Sequence, residues 1–151
     1  MKSKIIKEYI DMGCGFPVIL EGAKLIQVLG HWALKIKYNQ LEKEVLRRLI
    51  NYNYRLTGNQ VRFIRLYFNL NLKDFGKRLG VSHVAVLKWE KTKNAETGMA
   101  WCIEKDIRLY AQTQLSKQAK ELARTYQLLE DVPKSSNMKE RIKLDARKLA
   151  A

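Results

Sequence analysis

Residues 70–90 have the sequence LNLKDFGKRLGVSHVAVLKWE, and this stretch decides the fold. Its first half carries apolar side chains at helical spacing, namely Leu72, Phe75 and Leu79. Gly80 follows where a helix commonly ends in a residue with positive φ. Ser82 comes two residues later and can cap a new helix over residues 83–90. The stretch therefore predicts two short helices joined by a tight turn.

This order is that of a helix-turn-helix, whose second helix fits the major groove of DNA and presents its N-terminal residues to base edges. Apolar contacts between the two helices are expected from Phe75, Leu79, Val81, Val86 and Trp89, and Gly76 permits their close approach. Residues 57–112 resemble the phage-repressor-like (Cro, XRE) helix-turn-helix family. The resemblance lies in the order Leu-x-x-Phe-Gly-x-x-Leu-Gly-Val-Ser, followed by Val-x-x-Trp-Glu. It implies a lambda-repressor-like helical bundle that binds double-stranded DNA.

The resemblance also implies which side chains face DNA. Those expected at the bases are Ser82, His83, Val84, Leu87 and Lys88, although Leu87 has a second interpretation as cover for the helix edge. Those expected at phosphates are Lys73, Lys77, Lys91, Lys93 and Asn94. Leu72 stands where the family usually has a phosphate-binding Gln, which weakens one positioning contact. Glu90 is expected to support the fold by pairing with Arg62 or Arg65.

The lead-in Leu56-Thr-Gly-Asn-Gln-Val-Arg-Phe-Ile-Arg65 is similar to that of antitoxin-type members, notably the MqsA-like regulators. Those proteins join a small toxin-binding module to a DNA-binding domain. Their module carries a four-Cys zinc site, whereas this chain has only Cys14 there. Other regulators with this lead-in have a zinc-free strand-and-helix module, which fits residues 8–50 better. The similarity implies a toxin–antitoxin context.

The flanking sequence predicts a mainly α fold with a small N-terminal α+β part. Residues 1–15 are a polar lead-in, and residues 16–37 suggest a hairpin or three-stranded meander with a turn at Glu21–Gly22. Helices are expected over 39–50, 58–69 and about 99–112, with a linker at 51–55. The predicted division is a strand-helix module (1–52), a helical DNA-binding domain (53–131) and a basic tail (132–151).

A helix is also expected from residue 113 to about residue 131. Its apolar positions follow a heptad-like spacing and are the candidates for a dimer contact: Leu115, Ala119, Leu122, Tyr126 and Leu129. Two interpretations stay open, because such a face packs either on its own domain or on a second copy.

The charge of the 151-residue chain is +14, with 29 basic and 15 acidic side chains spread along its length. Such a field favours polyanionic partners. The two cysteines lie far apart, so we expect no metal site, no cofactor and a reduced, cytoplasmic location, at the bacterial nucleoid when DNA is bound. No secretory signal or membrane span is predicted, and no nucleophile motif points to an enzyme. A nucleophilic Cys14 would need a base, for which His31 is the nearest candidate by sequence. We expect Cys14 to be a structural thiol instead.

The sequence thus predicts a sequence-specific DNA-binding transcriptional regulator, acting as a dimeric repressor that reads the major groove with helix 83–90. The alternative is an antitoxin-like module that neutralises a partner toxin through residues 8–50. Both functions can coexist in one chain. A third possibility is RNA binding through charge alone, but the sequence contains no RNA-recognition signature that supports it.

Overall fold

The computed structural model describes residues 2–116, 118–135 and 141–149. They divide into two compact units, one formed by residues 1–45 with 141–151 and the other by residues 46–140. The division falls within a helix rather than at the predicted boundary near residue 52. The C-terminal segment belongs to the first unit, although the sequence had suggested a separate tail.

The first unit is built on a four-stranded sheet. Its strands are β1 (Ser3–Asp11), β2 (Val18–Val28), β3 (His31–Leu34) and β4 (Ile142–Asp145). β2 pairs antiparallel with β1 on one edge and with β3 on the other, and β4 pairs parallel with β2 at Val18–Glu21. Since β1 covers one edge of β2 along most of its length, β3 and β4 share the opposite edge.

Two sequence-based expectations for this sheet are wrong. The polar lead-in contains β1, which the sequence analysis missed. The predicted turn at Glu21–Gly22 is absent, because β2 continues through Gly22 despite its φ of +66°, and the register with β1 is the same on both sides of it. The strand turns instead at Leu29–Gly30, where both residues have positive φ, as a type I′ turn requires.

The predicted basic tail is also ordered over its described part. Ile142–Asp145 forms β4, and a 3₁₀ helix follows at Ala146–Leu149. The Leu149 carbonyl accepts a hydrogen bond from the Lys37 amide at 3.1 Å. Hydrophobic burial stabilises this segment, whose buried side chains are those of Ile142, Leu144, Ala146 and Leu149. Residues 136–140 and 150–151 of the predicted tail lie outside the described residues.

In the part of the chain that the structure describes, the second unit contains five whole helices and the end of α1 (Tyr38–Ile50). They are α2 (Gly58–Tyr67), α3 (Leu72–Leu79), α4 (His83–Glu90), α5 (Trp101–Leu115) and α6 (Ala119–Leu128). Thr57 begins α2 with a capping box, in which its hydroxyl accepts from the Gln60 amide and the Gln60 side chain accepts from the Thr57 amide. The core includes Leu46, Leu49, Ile50, Leu56, Val61, Ile64, Phe75, Val86, Ile107, Ala111 and Leu129.

One long helix through residues 113–131 does not form. α5 ends at Leu115, Ser116 has extended backbone, and α6 begins at Ala119. The heptad-like spacing therefore spans two helices and gives no continuous seam.

The segment 51–55, predicted to be a linker, is fixed to α5 by buried charge. Arg108 has a fully buried side chain and donates to the carbonyls of Tyr52 and Tyr54, each at 2.6 Å. Glu104 is also fully buried and accepts from Arg108 at 2.7 Å, from Arg55 at 3.0 Å and from the Leu56 amide at 3.2 Å. Burial lowers the pKa of Arg108, and the adjacent Glu104 acts against that shift. These bonds satisfy both Glu104 oxygens and the two terminal nitrogens of Arg108, which would otherwise be costly to bury. The buried Nε of Arg108 has no hydrogen-bond partner within the described residues.

The architecture is an α+β fold of six helices and one small sheet within the described residues, which confirms the predicted fold class at that level.

Candidate nucleic-acid interface

The helix pair α3–α4 begins and ends where the sequence predicts. The Asn71 side-chain oxygen caps α3 by accepting from the Asp74 amide at 2.7 Å. Gly80 ends α3 with a left-handed φ of +72°. The Ser82 hydroxyl caps α4 by accepting from the Ala85 amide at 3.2 Å. The turn is thus defined by local contacts that need no distant partner.

Gly76 brings the turn against α3. A Cβ atom at this position would lie 2.7 Å from the carbonyl oxygen of Val81. The amide of Val81 in turn donates to the Gly76 carbonyl at 2.8 Å. Any side chain here would have to push the backbone away, so a glycine is needed for the observed packing.

Glu90 fixes the end of α4 to α2, as the sequence predicts. Both of its carboxylate oxygens accept from Arg65, with Nε at 2.7 Å and Nη2 at 2.9 Å. Arg65 also donates from Nη1 to the Leu70 carbonyl at 2.8 Å. The guanidinium of Arg62 is more distant, with Nε 3.8 Å from Glu90. Arg65 therefore links α2 with α4 and with the segment that leads into α3.

The predicted base-facing side chains share one exposed face of α4. Val86, Trp89 and Glu90 point into the core and are buried. The opposite face exposes His83, Val84, Leu87 and Lys88, with Val84 60% accessible. Ser82 is exposed next to them, with its oxygen engaged in the cap. The helix thus offers an imidazole, two aliphatic groups and an ammonium on one side.

The predicted phosphate-binding side chains are exposed on both sides of this face. Lys73 and Lys77 project from α3, and Lys91, Lys93 and Asn94 follow α4. The loop after α4 is held against the start of α2, because the Asn59 amide donates to the Lys93 carbonyl at 2.9 Å. The Asn94 side-chain oxygen accepts from the Asn59 side chain at 3.1 Å, which leaves the Asn94 amide N–H groups to donate elsewhere.

A cleft of about 500 Å³ brings residues of both predicted classes together. Its lining consists of Arg65, Asn71, Leu72, Lys73 and His83. The sequence predicts a phosphate contact for Lys73 and a base or phosphate contact for His83, but it gives Asn71 no role. The N-cap pattern of an Asn directly before Leu72 was the available signal. Arg78, which has no predicted role, is exposed on α3, and its guanidinium lies over the Tyr110 ring at 4.4 Å.

The electrostatics of this region are strongly positive. Residues 70–94 contain six basic side chains and only two acidic ones, Asp74 and Glu90. Since the buried Glu90 carboxylate is neutralised by Arg65, its charge does little to offset the surface lysines.

The dimer candidates are divided by the break between α5 and α6. Ala119, Leu122 and Tyr126 line an open groove of about 520 Å³ on α6, where Tyr126 is half exposed. Leu129 is buried in the core, and Leu115 lines a different, polar cleft. The structure therefore brings together three of the five predicted residues.

Cys14 lies in a half-buried position beside a satisfied carboxylate. Burial and the charges of Asp11 and Glu42 raise the pKa of its thiol to about 12. Asp11 accepts from the Tyr38 hydroxyl at 2.7 Å and from the Gly13 amide at 3.1 Å. Burial and this bond raise the pKa of Tyr38 to about 12. A thiol held in its protonated form is a weak nucleophile.

Comparisons with protein families, with curated proteins and with solved structures find no match for this chain. None of the helices in the described ranges has the length and apolar character needed to cross a membrane. Those same ranges hold no group of three or more His, Cys, Asp or Glu side chains placed to bind a metal ion.

Proposed function

We propose that this chain is a sequence-specific double-stranded DNA-binding regulator of the helix-turn-helix type, acting as a dimeric repressor. The observation that carries the proposal is the exposed face of α4. His83, Val84, Leu87 and Lys88 lie together there, while the opposite face anchors the helix in the core. A rigidly held helix with a mixed polar and aliphatic face is what direct readout of base pairs requires.

In the proposed complex, α4 lies in the major groove and α3 crosses the backbone beside it. Lys88 donates to O6 and N7 of a guanine, and Val84 contacts a thymine methyl group. His83 donates to a base or to a phosphate. These contacts would discriminate one sequence from another.

Lysines on both sides of α4 supply the sequence-independent part of the affinity. Lys73 and Lys77 contact phosphates from α3, and Lys91, Lys93 and Asn94 contact them from the loop after α4. Two recognition helices of a dimer would occupy adjacent major grooves about one helical turn apart, roughly 34–36 Å. Occupying an operator in this way blocks access to the promoter, which is the proposed mechanism of repression.

The test is fluorescence anisotropy with a labelled duplex taken from upstream of the chain's own gene. Unlabelled random duplex is added as competitor, and the salt concentration is varied. We expect binding that survives an excess of competitor and weakens with salt in proportion to the number of phosphate contacts. Equal displacement by specific and random competitor would contradict the proposal.

An antitoxin-like role remains the second candidate, and the β2–β3 turn favours it. Leu29 is 95% exposed and has a φ of +50°, a backbone conformation that favours Gly or Asn. Val28 and Trp32 expose apolar surface next to it. A strained, solvated leucine does not help folding, so a protein partner would explain it. The test is co-purification with the product of a neighbouring small reading frame, which Leu29→Asn should abolish while DNA binding is kept.

A further inference from the structure

The outer edge of β1 has no strand beside it within the described ranges of the chain. β1 pairs with β2 along one edge, and none of the other strands formed by the described residues is hydrogen-bonded to it. The strand is nine residues long and carries apolar side chains on its surface, including Ile5, which is 71% exposed. A long edge of this kind presents a row of backbone donors and acceptors to another strand.

The hydrogen-bond pattern shows which backbone groups point outward. The Gln27 amide donates to the Lys2 carbonyl at 3.0 Å, and the Lys35 amide donates to the Lys24 carbonyl at 2.9 Å. In an antiparallel pair, alternate residues bond to the partner strand. The first bond joins Lys2 to β2 and so indicates that even-numbered residues of β1 bond to β2. The second bond shows that even-numbered residues of β2 bond toward β3, which leaves the odd-numbered residues of β2 to bond to their even-numbered partners in β1. The amide and carbonyl groups of Ile5 consequently point away from the sheet.

We propose that a second copy of this chain pairs antiparallel with β1, across a two-fold axis that passes beside Ile6. Ile6 would then lie opposite Ile6 of the second copy. Ile5 would lie opposite the second copy's Lys7, and Lys4 opposite the second copy's Glu8. The two sheets would join into one sheet through a single self-complementary edge, as a two-fold interface requires.

Charge and the length of the paired segment together select this register among the symmetric ones. The axis of a symmetric antiparallel pair must pass between two equivalent residues, so it lies at one residue position. Centring the axis on Lys7 or on Glu8 sets two like charges directly opposite each other, which is destabilising. Centring it on Ile5 or on Tyr9 pairs only five residues of β1, 3–7 or 7–11, whereas centring it on Ile6 pairs seven, 3–9. Only the Ile6 register sets Lys4 opposite Glu8, and it does so twice.

Glu8 lies in a position that this pairing would improve. It is directly opposite Glu21 of β2, and both side chains are exposed. Arg147 lies near Glu21, whereas Glu8 forms no salt bridge within the described residues. Like charges directly opposite each other on neighbouring strands are destabilising. The ammonium of Lys4 lies over the Trp32 ring at 4.2 Å on an exposed, rotatable side chain. In the pair, this side chain would turn to the outer edge and place a positive charge beside Glu8 of the second copy.

The first test is a disulfide cross-link. In a background with Cys14→Ser and Cys102→Ser, Ile6→Cys would place two thiols in a non-hydrogen-bonded pair, with Cα atoms about 4.5 Å apart. That distance lies within disulfide range. We expect mild oxidation to give a covalent dimer. Ile10→Cys is the matched control, because it lies on the same strand but opposite the second copy's Lys2. Equal cross-linking of both variants, or none with Ile6→Cys, would overturn the register.

The second test is a charge exchange followed by sedimentation analysis in the absence of DNA. Lys4→Glu should weaken dimerisation by roughly tenfold, since two ion pairs become two repulsions. Lys4→Glu combined with Glu8→Lys should restore it. Circular dichroism checks that each variant is folded. If Leu122→Asp dissociates the dimer and Lys4→Glu does not, the contact lies on α6 and the proposal fails. A wild-type chain that stays monomeric at every concentration also overturns it.

This inference takes from the proposed function only the expectation of a dimer. A chain that dimerises through β1 but shows no specific DNA binding would overturn the proposed function alone. A chain that binds its operator while Lys4→Glu leaves dimerisation unchanged would overturn the pairing alone.

Discussion

Arg65 holds Glu90 through two parallel hydrogen bonds, of 2.7 and 2.9 Å, and both side chains are almost fully buried. A bidentate pair of this geometry fixes direction as well as distance. Because the same guanidinium also bonds the Leu70 carbonyl, the orientation of α4 depends on a residue of α2. The surface proposed to face DNA is therefore set by a contact on the opposite side of the helix.

Replacing Arg65 with methionine should destabilise the protein strongly. The change leaves the Glu90 carboxylate buried without its main partner, which costs about 3 kcal/mol or more. Urea unfolding followed by circular dichroism measures the loss. Arg62→Met is the matched control, since its guanidinium is largely exposed and 3.8 Å from the same carboxylate, so it should cost less than about 1 kcal/mol. Similar losses for both variants would contradict the structural role given to Arg65.

Gly76 and Gly80 should respond differently to substitution. Gly76→Ala introduces a Cβ at 2.7 Å from the Val81 carbonyl oxygen and should cost about 1–3 kcal/mol. Gly80 has open space around it but a left-handed φ, so Gly80→Asn should be much milder, because Asn tolerates that conformation. Thermal unfolding of the two variants distinguishes a steric requirement from a conformational one. A milder effect at Gly76 than at Gly80 would be incompatible with the close packing of the turn.

Lys88 and Lys93 should contribute to DNA binding in different ways. Lys88→Ala should cost about 1–3 kcal/mol on the operator and much less on random duplex. Lys93→Ala should weaken both by a similar factor and reduce the salt dependence by about one phosphate contact. Lys120→Ala, exposed at the start of α6, is the control and should change neither. An equal loss on both duplexes for Lys88→Ala would remove its assignment as a base-reading residue.

The two cysteines should differ in reactivity with alkylating reagents. At pH 8, iodoacetamide should label the exposed Cys102 well before Cys14, because burial raises the pKa of the Cys14 thiol from 9.0 to about 12. Peptide mass analysis over time gives the order. Faster labelling of Cys14 would mean that its surroundings are more open than the structure shows.

The raised pKa of the Cys14 thiol also predicts how the free energy of unfolding depends on alkaline pH. The native thiol keeps a proton that the unfolded chain releases above pH 9, so the stabilisation is present below pH 9 and is lost as the pH rises to about 12. Tyr38 adds a similar loss that starts near pH 10. In Cys14→Ser, the decline in unfolding free energy should therefore begin about one pH unit higher than in the wild type. An unchanged profile would argue against the Cys14 contribution.

The sequence was most informative where structure is local. The limits of α3 and α4, the αL glycine at position 80 and the Ser82 cap all match, because each is determined by residues within one helical turn. The pairing of Glu90 with Arg62 or Arg65 was also predicted, and the structure shows that Arg65 is the closer partner. The placement of the candidate site thus followed largely from its own segment.

Long-range pairing left little trace in the sequence. β1 carries Lys4, Lys7 and Glu8 among its apolar residues, so it lacks the alternation that marks a half-buried strand. β4 is only four residues long and pairs with a strand more than 120 positions away. Neither strand could be identified from neighbouring residues alone.

Buried charge and a helix break were missed for a similar reason. Glu104 and Arg108 have the spacing of an ordinary solvated pair on a helix surface, and only the fold shows that both are enclosed. The apolar spacing around Leu115 and Ala119 continues across residues 116–118, so periodicity could not reveal where α5 ends.

The pairing of β4 with β2 has a consequence for biosynthesis. Val18 and Leu20 of β2 are translated early, but β4, which pairs with them, is translated only at residues 142–145. The sheet therefore stays incomplete until every helix of the second unit has been translated. A premature stop codon before Ile142 would leave the sequences of α1–α6 complete but remove β4 and the 3₁₀ helix, which exposes the edge of β2 at Val18–Glu21. Such a product should aggregate through its N-terminal part, even though the missing residues lie at the other end of the gene.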